Sequence, residues 1–475
     1  MSVRARNVKG NSNPRLNSYI ILVKVFDGPE TPVSRQSPHL TRDSCQHCDP
    51  FTLNRGAIVK ILYHHRTQAN DGCAVHITEM IAALRRDGHE VVVVAPAVAK
   101  GEPSAEKTTG GLIATLRKRL PKAAFEALEF LYSGFAYFRL LRAVFSHRPD
   151  VLYERYSLFM PTGTWIRRTC GLPVLLEVNS PLREERARHG GLALGALAGW
   201  TERVSWKGAD RVLPVTAVLA RQISAIGVAE GRISVIANGI NPQTFGPLPE
   251  GDQAKAALGL EGKLVLGFTG FVRDWHGLDR VIEALPRTPQ AHLLIVGDGP
   301  ARQDLLARAQ QMDVGERVSF TGVLPHARIA GHVAAFDIAL QPAVTAYASP
   351  LKLFEYLQMG RTILAPDQPN LREILTDGVN ARLFDAERGE AFAEALDGLI
   401  ANPEERRRLA EGARATIARL GLTWDHNARR VVALAQAALL ACPRRRPAAG
   451  TAGPLGPTAA RPSSRAADDP PGAPR

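Results

Sequence analysis

Ala57-Ile-Val-Lys-Ile-Leu-Tyr63 is a short β-rich run. A polar stretch ending Asn70-Asp71-Gly72 follows it, then Val75-His-Ile-Thr-Glu-Met-Ile-Ala-Ala-Leu84 at helical spacing, and then Val91-Val-Val-Val-Ala95. Gly88-His-Glu90 stops the helix, and an unbroken apolar run is what a strand covered on both faces requires, so the segment reads as a β-α-β unit of a parallel sheet. Asp150-Val-Leu-Tyr153, Pro173-Val-Leu-Leu-Glu-Val178 and Asp210-Arg-Val-Leu-Pro-Val215 repeat the strand theme with helical stretches between them. Ile233 to Phe245 reads as a strand ending in turn chemistry and, with the Gly/Pro-rich residues 246–251, as a linker. The alternation then restarts. Strands are predicted at Lys263–Phe268, His292–Val296, Val318–Phe320 and Asp337–Leu340, and helices at Gly277–Leu285, Pro300–Met312 and His326–Phe336. The fold class is α/β: two doubly wound Rossmann-like domains whose strand ends face each other across a shared cleft.

Composition narrows the function. The 475 residues are 45% hydrophobic, enough for more than one core and incompatible with a wholly disordered chain. Five cysteines are too few, and odd in number, for a disulfide framework, which points to a reducing, cytoplasmic compartment. Cys45-Gln-His-Cys48, with His39 nearby, lacks the second ligand pair of a structural zinc site, so no metal is expected. Of the net charge of +13, eight units sit in residues 1–56 and 443–475, leaving +5 over the 386 residues between, so a nucleic-acid partner is not expected. The best N-terminal apolar run, Tyr19–Phe26, is short and broken by Lys24, unlike a membrane span. Residues 1–56 read as a disordered or spurious extension, and 443–475 as a disordered basic Pro/Ala-rich tail.

Ser349-Pro-Leu-Lys-Leu-Phe-Glu-Tyr-Leu-Gln-Met-Gly360 carries the chemistry. Ser349 is a strong N-cap, Pro350 suits the first helical position and Gly360 the stop. The amides of Leu351 and Lys352 would then point from a positive helix end at which a phosphate is stabilised. Lys352 adds a cation. Glu355, on the same face, adds a carboxylate able to accept two sugar hydroxyls.

Asn238-Gly-Ile-Asn-Pro-Gln-Thr-Phe245, Val296-Gly-Asp-Gly-Pro300, Phe320-Thr-Gly-Val-Leu-Pro325, Ser349–Gly360 and Ala365-Pro-Asp-Gln-Pro-Asn-Leu-Arg-Glu-Ile-Leu375 occur in the order and spacing of family 4 glycosyltransferases, which the chain resembles over about 57–441. The resemblance implies a GT-B fold and metal-independent, cofactor-free transfer of a hexosyl group from a nucleoside-diphosphate-sugar, with retention of anomeric configuration. It implies an acceptor domain at 57–236, a donor domain at 237–422, and a helix at 423–442 returning to the first domain. Lys352, Arg273 and Glu355 are the implied catalytic set. Gly72, Gly270, Gly297, Gly299, Val323, Leu324, Ser349, Pro350, Leu351 and Glu373 are the implied donor contacts. His76, Arg155, Asn179 and Glu184 are acceptor-side candidates. Glu373 reads equally as a carboxylate at a helix start, and Gly72 as an ordinary turn glycine.

The chain departs from the family pattern at four places. Tyr347 stands where many members carry the first of two glutamates, leaving Glu355 as the ribose ligand. In Gly270-Phe-Val-Arg-Asp-Trp-His-Gly277, His276 takes the place of a common lysine, making Arg273 the pyrophosphate candidate. The usual double glycine is reduced to Asp71-Gly72, and the usual histidine after the fourth strand is Asn179. The expected acceptor is a polysaccharide or lipid-linked glycan. Basic Gly111–Tyr132, with Arg117, Lys118, Arg119 and Lys122, suggests peripheral contact with anionic lipid on the inner face of the cell membrane, with Pro121 kinking or splitting the helix. The rival readings are an NAD-dependent Rossmann oxidoreductase built on Val296–Pro300, which lacks a complete G-x-G-x-x-G, and a basic nucleic-acid-binding protein.

Overall fold

The computed structural model describes residues 57–67, 72–96, 119–245 and 249–441. The Cys45/Cys48 pair, both terminal stretches, Asp71, Arg117 and Lys118 lie outside them. The first lobe runs β1 (Lys60–His64), α1 (Gly72–Arg86), β2 (Glu90–Val94), α2 (Lys122–His147), β3 (Val151–Arg155), α3 (Thr162–Cys170), β4 (Val174–Val178), α4 (Leu182–His189), α5 (Gly195–Gly208), β5 (Arg211–Pro214) and α6 (Ala217–Ala225). The second runs α7 (Gly251–Ala256), β6 (Leu264–Thr269), α8 (Leu278–Ala284), β7 (Ala291–Val296), α9 (Arg302–Gln311), β8 (Val318–Phe320), α10 (His326–Val333), β9 (Ile338–Leu340), α11 (Leu351–Gln358), β10 (Thr362–Pro366), β11 (Arg382–Phe384), α12 (Ala391–Ala401) and α13 (Pro403–Leu420), and α14 (Trp424–Ala441) closes the described chain.

Both sheets are parallel, in the orders β2-β1-β3-β4-β5 and β11-β10-β9-β6-β7-β8. β3, β4, β7 and β10 are buried at every position, as their apolar runs demand of strands with helices on both faces. Alternate residues sort to opposite faces of the first sheet. Leu62, Leu152, Val174 and Val212 pack with Leu140, Ile166 and Trp206. Ile61, Tyr63, Val151, Tyr153, Leu175 and Leu213 pack with Ile77, Met80 and Leu84 of α1. Trp424, Val431 and Ala435 of α14 complete that second layer, and Asp425 pairs with Arg86 of α1.

Ile233–Phe245 is not a strand. Ile233 alone bridges to Val212, and Pro242–Phe245 forms a single 3-10 turn, because Pro242 has no N–H for a ladder and the backbone before it serves another contact. Ile240 accepts from Trp424 N (3.2 Å) and donates to Leu422 O (3.0 Å), so the two crossings between the lobes lie side by side. A Cβ at Gly239 would come within 2.8 Å of the Thr423–Trp424 peptide, and the approach requires glycine. Pro121 splits the helical stretch, as expected: Arg119 is helical, Leu120 and Pro121 are not, and α2 begins at Lys122. The proline sits at the N-cap position of α2, where its missing N–H costs nothing, and Phe125 N donates to its carbonyl.

β1 lies between β2 and β3, and β6 between β9 and β7, so chain order reverses at β1/β3 and at β6/β9. Connections diverge at such points and leave a crevice at the carboxyl ends of the strands. In the first lobe His64–Thr67 and the start of α1 leave from that end; in the second, the 270–277 loop and the segment entering α11 do.

Candidate active site

The starts of α1 and α11 abut across the lobes: a Cβ at Gly72 would lie 3.3 Å from Leu351 Cδ1. Pro350, not Ser349, is the N-cap residue of α11, and no side chain caps it. Ser349 is instead held by Asn238, whose backbone N–H donates to its Oγ (3.4 Å) and whose Nδ2 donates to its carbonyl (2.6 Å). The free first-turn amides of α11 thus remain directed outward. α11 ends at Gln358, and Gly360 adopts a left-handed conformation two residues later. Lys352 Nζ stands 3.6 Å from the Phe268 ring centroid. It is also 3.4 Å from where a Cβ of Gly270 would be, so the glycine at the end of β6 leaves room for the ammonium. Burial pushes Lys352 down to about 7, against the pull of Glu355. Burial likewise pushes Glu355 up to about 7, against Lys352 and a hydrogen bond with Thr269. Both groups gain from a ligand that restores their charges.

Arg273 stacks on Phe271 and Trp275, its guanidinium carbon 4.6 and 4.9 Å from their ring centroids. His276 Nδ1 accepts from Arg273 N (3.3 Å). Burial, with Lys352 and Arg273 nearby, pushes that imidazole down to about 2. The candidate cations are therefore Lys352 and Arg273, with a neutral imidazole near both. Gly297 and Gly299 are consumed by backbone packing: a Cβ at Gly297 (φ 145°) would overlap Gly270 O, and one at Gly299 would overlap Val272 O. Gly297→Ala is expected to destabilise the protein by roughly 1–3 kcal/mol in denaturant unfolding. Gly331→Ala, in the open interior of α10, should be neutral or stabilising.

On the acceptor side, a buried polar network closes around Glu177 in β4. It accepts from Tyr153 OH (2.6 Å), Arg155, Asn179 and His76 Nε2 (3.0 Å). Burial opposes its charge, but His76, Arg155 and Tyr153 outweigh that and hold the carboxyl well below the usual range. His76 Nδ1 meets Asn238 Oδ1 (2.8 Å), and Asn238 Nδ2 is committed to the Ser349 carbonyl. Both ring nitrogens of His76 thus lie within hydrogen-bond distance of an oxygen, one on each lobe's side of the network. One chain of hydrogen bonds thus runs from the first sheet to the start of α11.

The family description "Glycosyl transferases group 1" matches residues 251–416, and "Glycosyltransferase Family 4" matches 70–244. The chain belongs to the family 4 glycosyltransferases. Similar proteins include the GDP-mannose-dependent alpha-mannosyltransferase of Mycobacterium tuberculosis, 26% identical over 74% of this chain and 89% of that protein. The D-inositol 3-phosphate glycosyltransferase of Xylanimonas cellulosilytica is 28% identical over 75% and 89%. Among solved structures, sucrose-phosphate synthase from Thermosynechococcus elongatus superposes with a TM-score of 0.64 at 18% identity, covering 80% of this chain and 99% of that one. Anabaena HepE in complex with UDP-glucose gives 0.60 at 17%, covering 80% and 100%. These likenesses show the GT-B fold, and the protein is a nucleotide-sugar-dependent glycosyltransferase.

Several expected site residues of this glycosyltransferase make structural contacts. Glu184 is on the surface, paired with Arg188 one turn on (2.5 Å), because α4 turns its neighbour Glu185 inward instead. Glu373 accepts from Ala217 N through both carboxylate oxygens (2.8 and 3.0 Å), capping α6 of the other lobe, where four helix N–H groups lack intrahelical partners. Val323 is exposed, and Leu324 packs against the core of the second lobe. Glu185, Asn238 and Glu177 were not singled out from sequence. A carboxylate inside an apolar strand, as in Val174-Leu-Leu-Glu-Val178, was the available signal, since a buried charge has to be paired.

Tyr347 reaches across the cleft. Its hydroxyl donates to Glu185 Oε1 and its carbonyl accepts from Thr216 Oγ1 (2.9 Å). Burial holds Glu185 above the ordinary carboxylate range, against hydrogen bonds from Tyr347 and Ser180. Tyr347→Phe removes a donor from a buried carboxyl and is expected to cost about 1–3 kcal/mol, read by thermal unfolding. An unchanged melting temperature would show that the contact contributes nothing.

Proposed function

We propose that the enzyme transfers a hexosyl group, with retention and without a metal, to a polysaccharide or lipid-linked glycan, working in the cytoplasm and peripherally at the inner face of the cell membrane. The observation that carries this reading is the meeting of two helix starts from opposite lobes, at Gly72 and Leu351, beside Lys352. As the sugar leaves, negative charge builds on the terminal phosphate oxygen of the nucleoside diphosphate. Oriented amides and two cations, Lys352 and Arg273, are suited to meet it. Glu355 is suited to accept the ribose hydroxyls. The C1–O bond to the diphosphate breaks as the acceptor oxygen bonds to C1 on the same face, and the acceptor proton passes to the departing phosphate oxygen. Phosphate-assisted proton transfer needs no carboxylate base. Val296–Pro300, whose glycines are filled by backbone, gives little support to a dinucleotide site.

GDP-mannose is the first donor to test, since the mycobacterial relative is named for it. Turnover should persist in chelator, and NMR of the product should show the donor's anomeric configuration. An inverted product, or activity abolished by chelator and restored by a divalent ion, would overturn the mechanism.

A further inference from the structure

α2 turns its carboxylates inward and its apolar side chains outward. Glu126 accepts from the backbone N–H groups of Ala193 (3.1 Å) and Leu194 (2.6 Å), and Glu129 pairs with Arg186 (2.6 Å) and Arg66 (3.3 Å). Outward stand Leu128, Leu131, Phe135, Phe138 and Phe145, with 44%, 67%, 58%, 67% and 71% of their surfaces exposed. Their spacing of three and four residues, completed by Arg142, draws one stripe along a helix about 39 Å long. Trp200, 43% exposed and 6.1 Å from Phe130, widens the stripe at one edge. A contiguous apolar strip on this scale marks an interaction surface.

Charge selects the occupant. Arg142 stands within the stripe and Arg148 is exposed at the helix end, while Lys122 is turned to the inward side, its Nζ donating to Gly190 O (2.9 Å); among the described residues α2 exposes no carboxylate. A two-fold contact between copies of this face would bring basic groups together with no acid of α2 to meet them. Lipid phosphates meet them directly. Aromatic and leucine side chains flanked by cations are also what an interfacial helix needs. α2 leads to the start of β3, and Arg139 in its second half donates to Ala95 O just beyond β2 (2.7 Å).

We propose that this face of α2 docks the enzyme on an anionic lipid surface. Leu131, Phe135 and Phe138 enter the headgroup layer, and Arg142 within the stripe, with Arg148 at the helix end, contacts the phosphates. This deepens the peripheral-membrane reading and rests on it, moving the contact from Gly111–Tyr132 onto the helix that follows Pro121. The test uses full-length protein, its basic ends retained, sedimented with vesicles of phosphatidylcholine alone or mixed with phosphatidylglycerol. The wild type should prefer the anionic vesicles. Phe135→Ser/Phe138→Ser should lower the partition coefficient by about tenfold or more, while the shift in melting temperature given by a nucleoside diphosphate stays as in the wild type and reports an intact fold. If wild type and variant bind anionic vesicles equally, the membrane reading survives and the assignment to α2 fails. If the wild type binds neither vesicle, or both equally, both fail. A wild-type dimer that the double variant dissociates, without vesicle binding, would assign the face to a second copy.

Discussion

Lys352→Ala is expected to lower kcat/KM by about a thousandfold, the scale for losing a charge-stabilising donor from a desolvated site, and to leave the fold intact. Lys352 stands in the first turn of α11, over Phe268 and beside Gly270, and its charge is depressed by burial to about 7. A nucleoside diphosphate would draw the proton back, so binding takes up a proton and affinity should fall as pH rises above about 7. Calorimetric titration across that range should show the limb in the wild type and not in Lys352→Ala; in Lys352→Arg it should move beyond the accessible range. Stability gives an independent sign. The folded-state pKa lies below the unfolded value of about 10.4, so the unfolded chain binds the proton first as pH falls through this window. The penalty on the native state grows across the window and is complete below about 7. At neutral pH the alanine variant should therefore melt at or above the wild-type temperature. A lower melting temperature together with lost activity would make Lys352 a structural residue and sink the assignment.

Most of the fold was legible because its signals are local. An unbroken run such as Val91-Val-Val-Val94, or His292-Leu-Leu-Ile-Val296, can be satisfied only with cover on both faces, and the alternation with helical spacing then forces a doubly wound sheet. Ile233–Phe245 failed because its β-like composition serves a crossing whose partner, Leu422–Trp424, is far away in sequence. β10 and β11 carry no strand signal in the sequence; each pairs through three residues of its neighbour, too little for a periodic signal. The site divides in the same way. Lys352 and Glu355 share one helix turn, where spacing reports geometry. Glu373 lies in the expected motif, yet it caps a helix of the other lobe, and Glu185 displaces Glu184 by one residue of helix phase. Neither outcome follows from local spacing, because both depend on how two lobes meet.

The largest stability effect should come from a residue remote from Lys352. Glu177→Gln keeps the shape of the side chain but removes the charge that compensates Arg155, and Arg155 is 8% exposed. Breaking a buried pair from one side leaves an unpaired charge and costs about 3–5 kcal/mol. His76 adds to the cost, since its Nε2 loses a carboxylate acceptor. The pH dependence has a definite sign. Glu177 is held below its unfolded value, so its contribution is present above about 4.3 and is lost as pH falls below that. The gap between wild type and variant should narrow in the same direction. Arg155→Met alone, Glu177→Gln alone and the two combined form a cycle in which the double variant should cost less than the sum of the singles, because the second change removes the charge that the first stranded. The relay from Glu177 through His76 and Asn238 to Ser349 adds a functional readout: at temperatures where Glu177→Gln remains folded, nucleotide affinity should weaken as the start of α11 loses its anchor. Denaturant unfolding of the four proteins measures the first effect and titration the second. A Glu177→Gln protein within about 0.5 kcal/mol of the wild type, the ordinary range for a surface substitution, would mean that the network neither stabilises the first lobe nor couples it to the second.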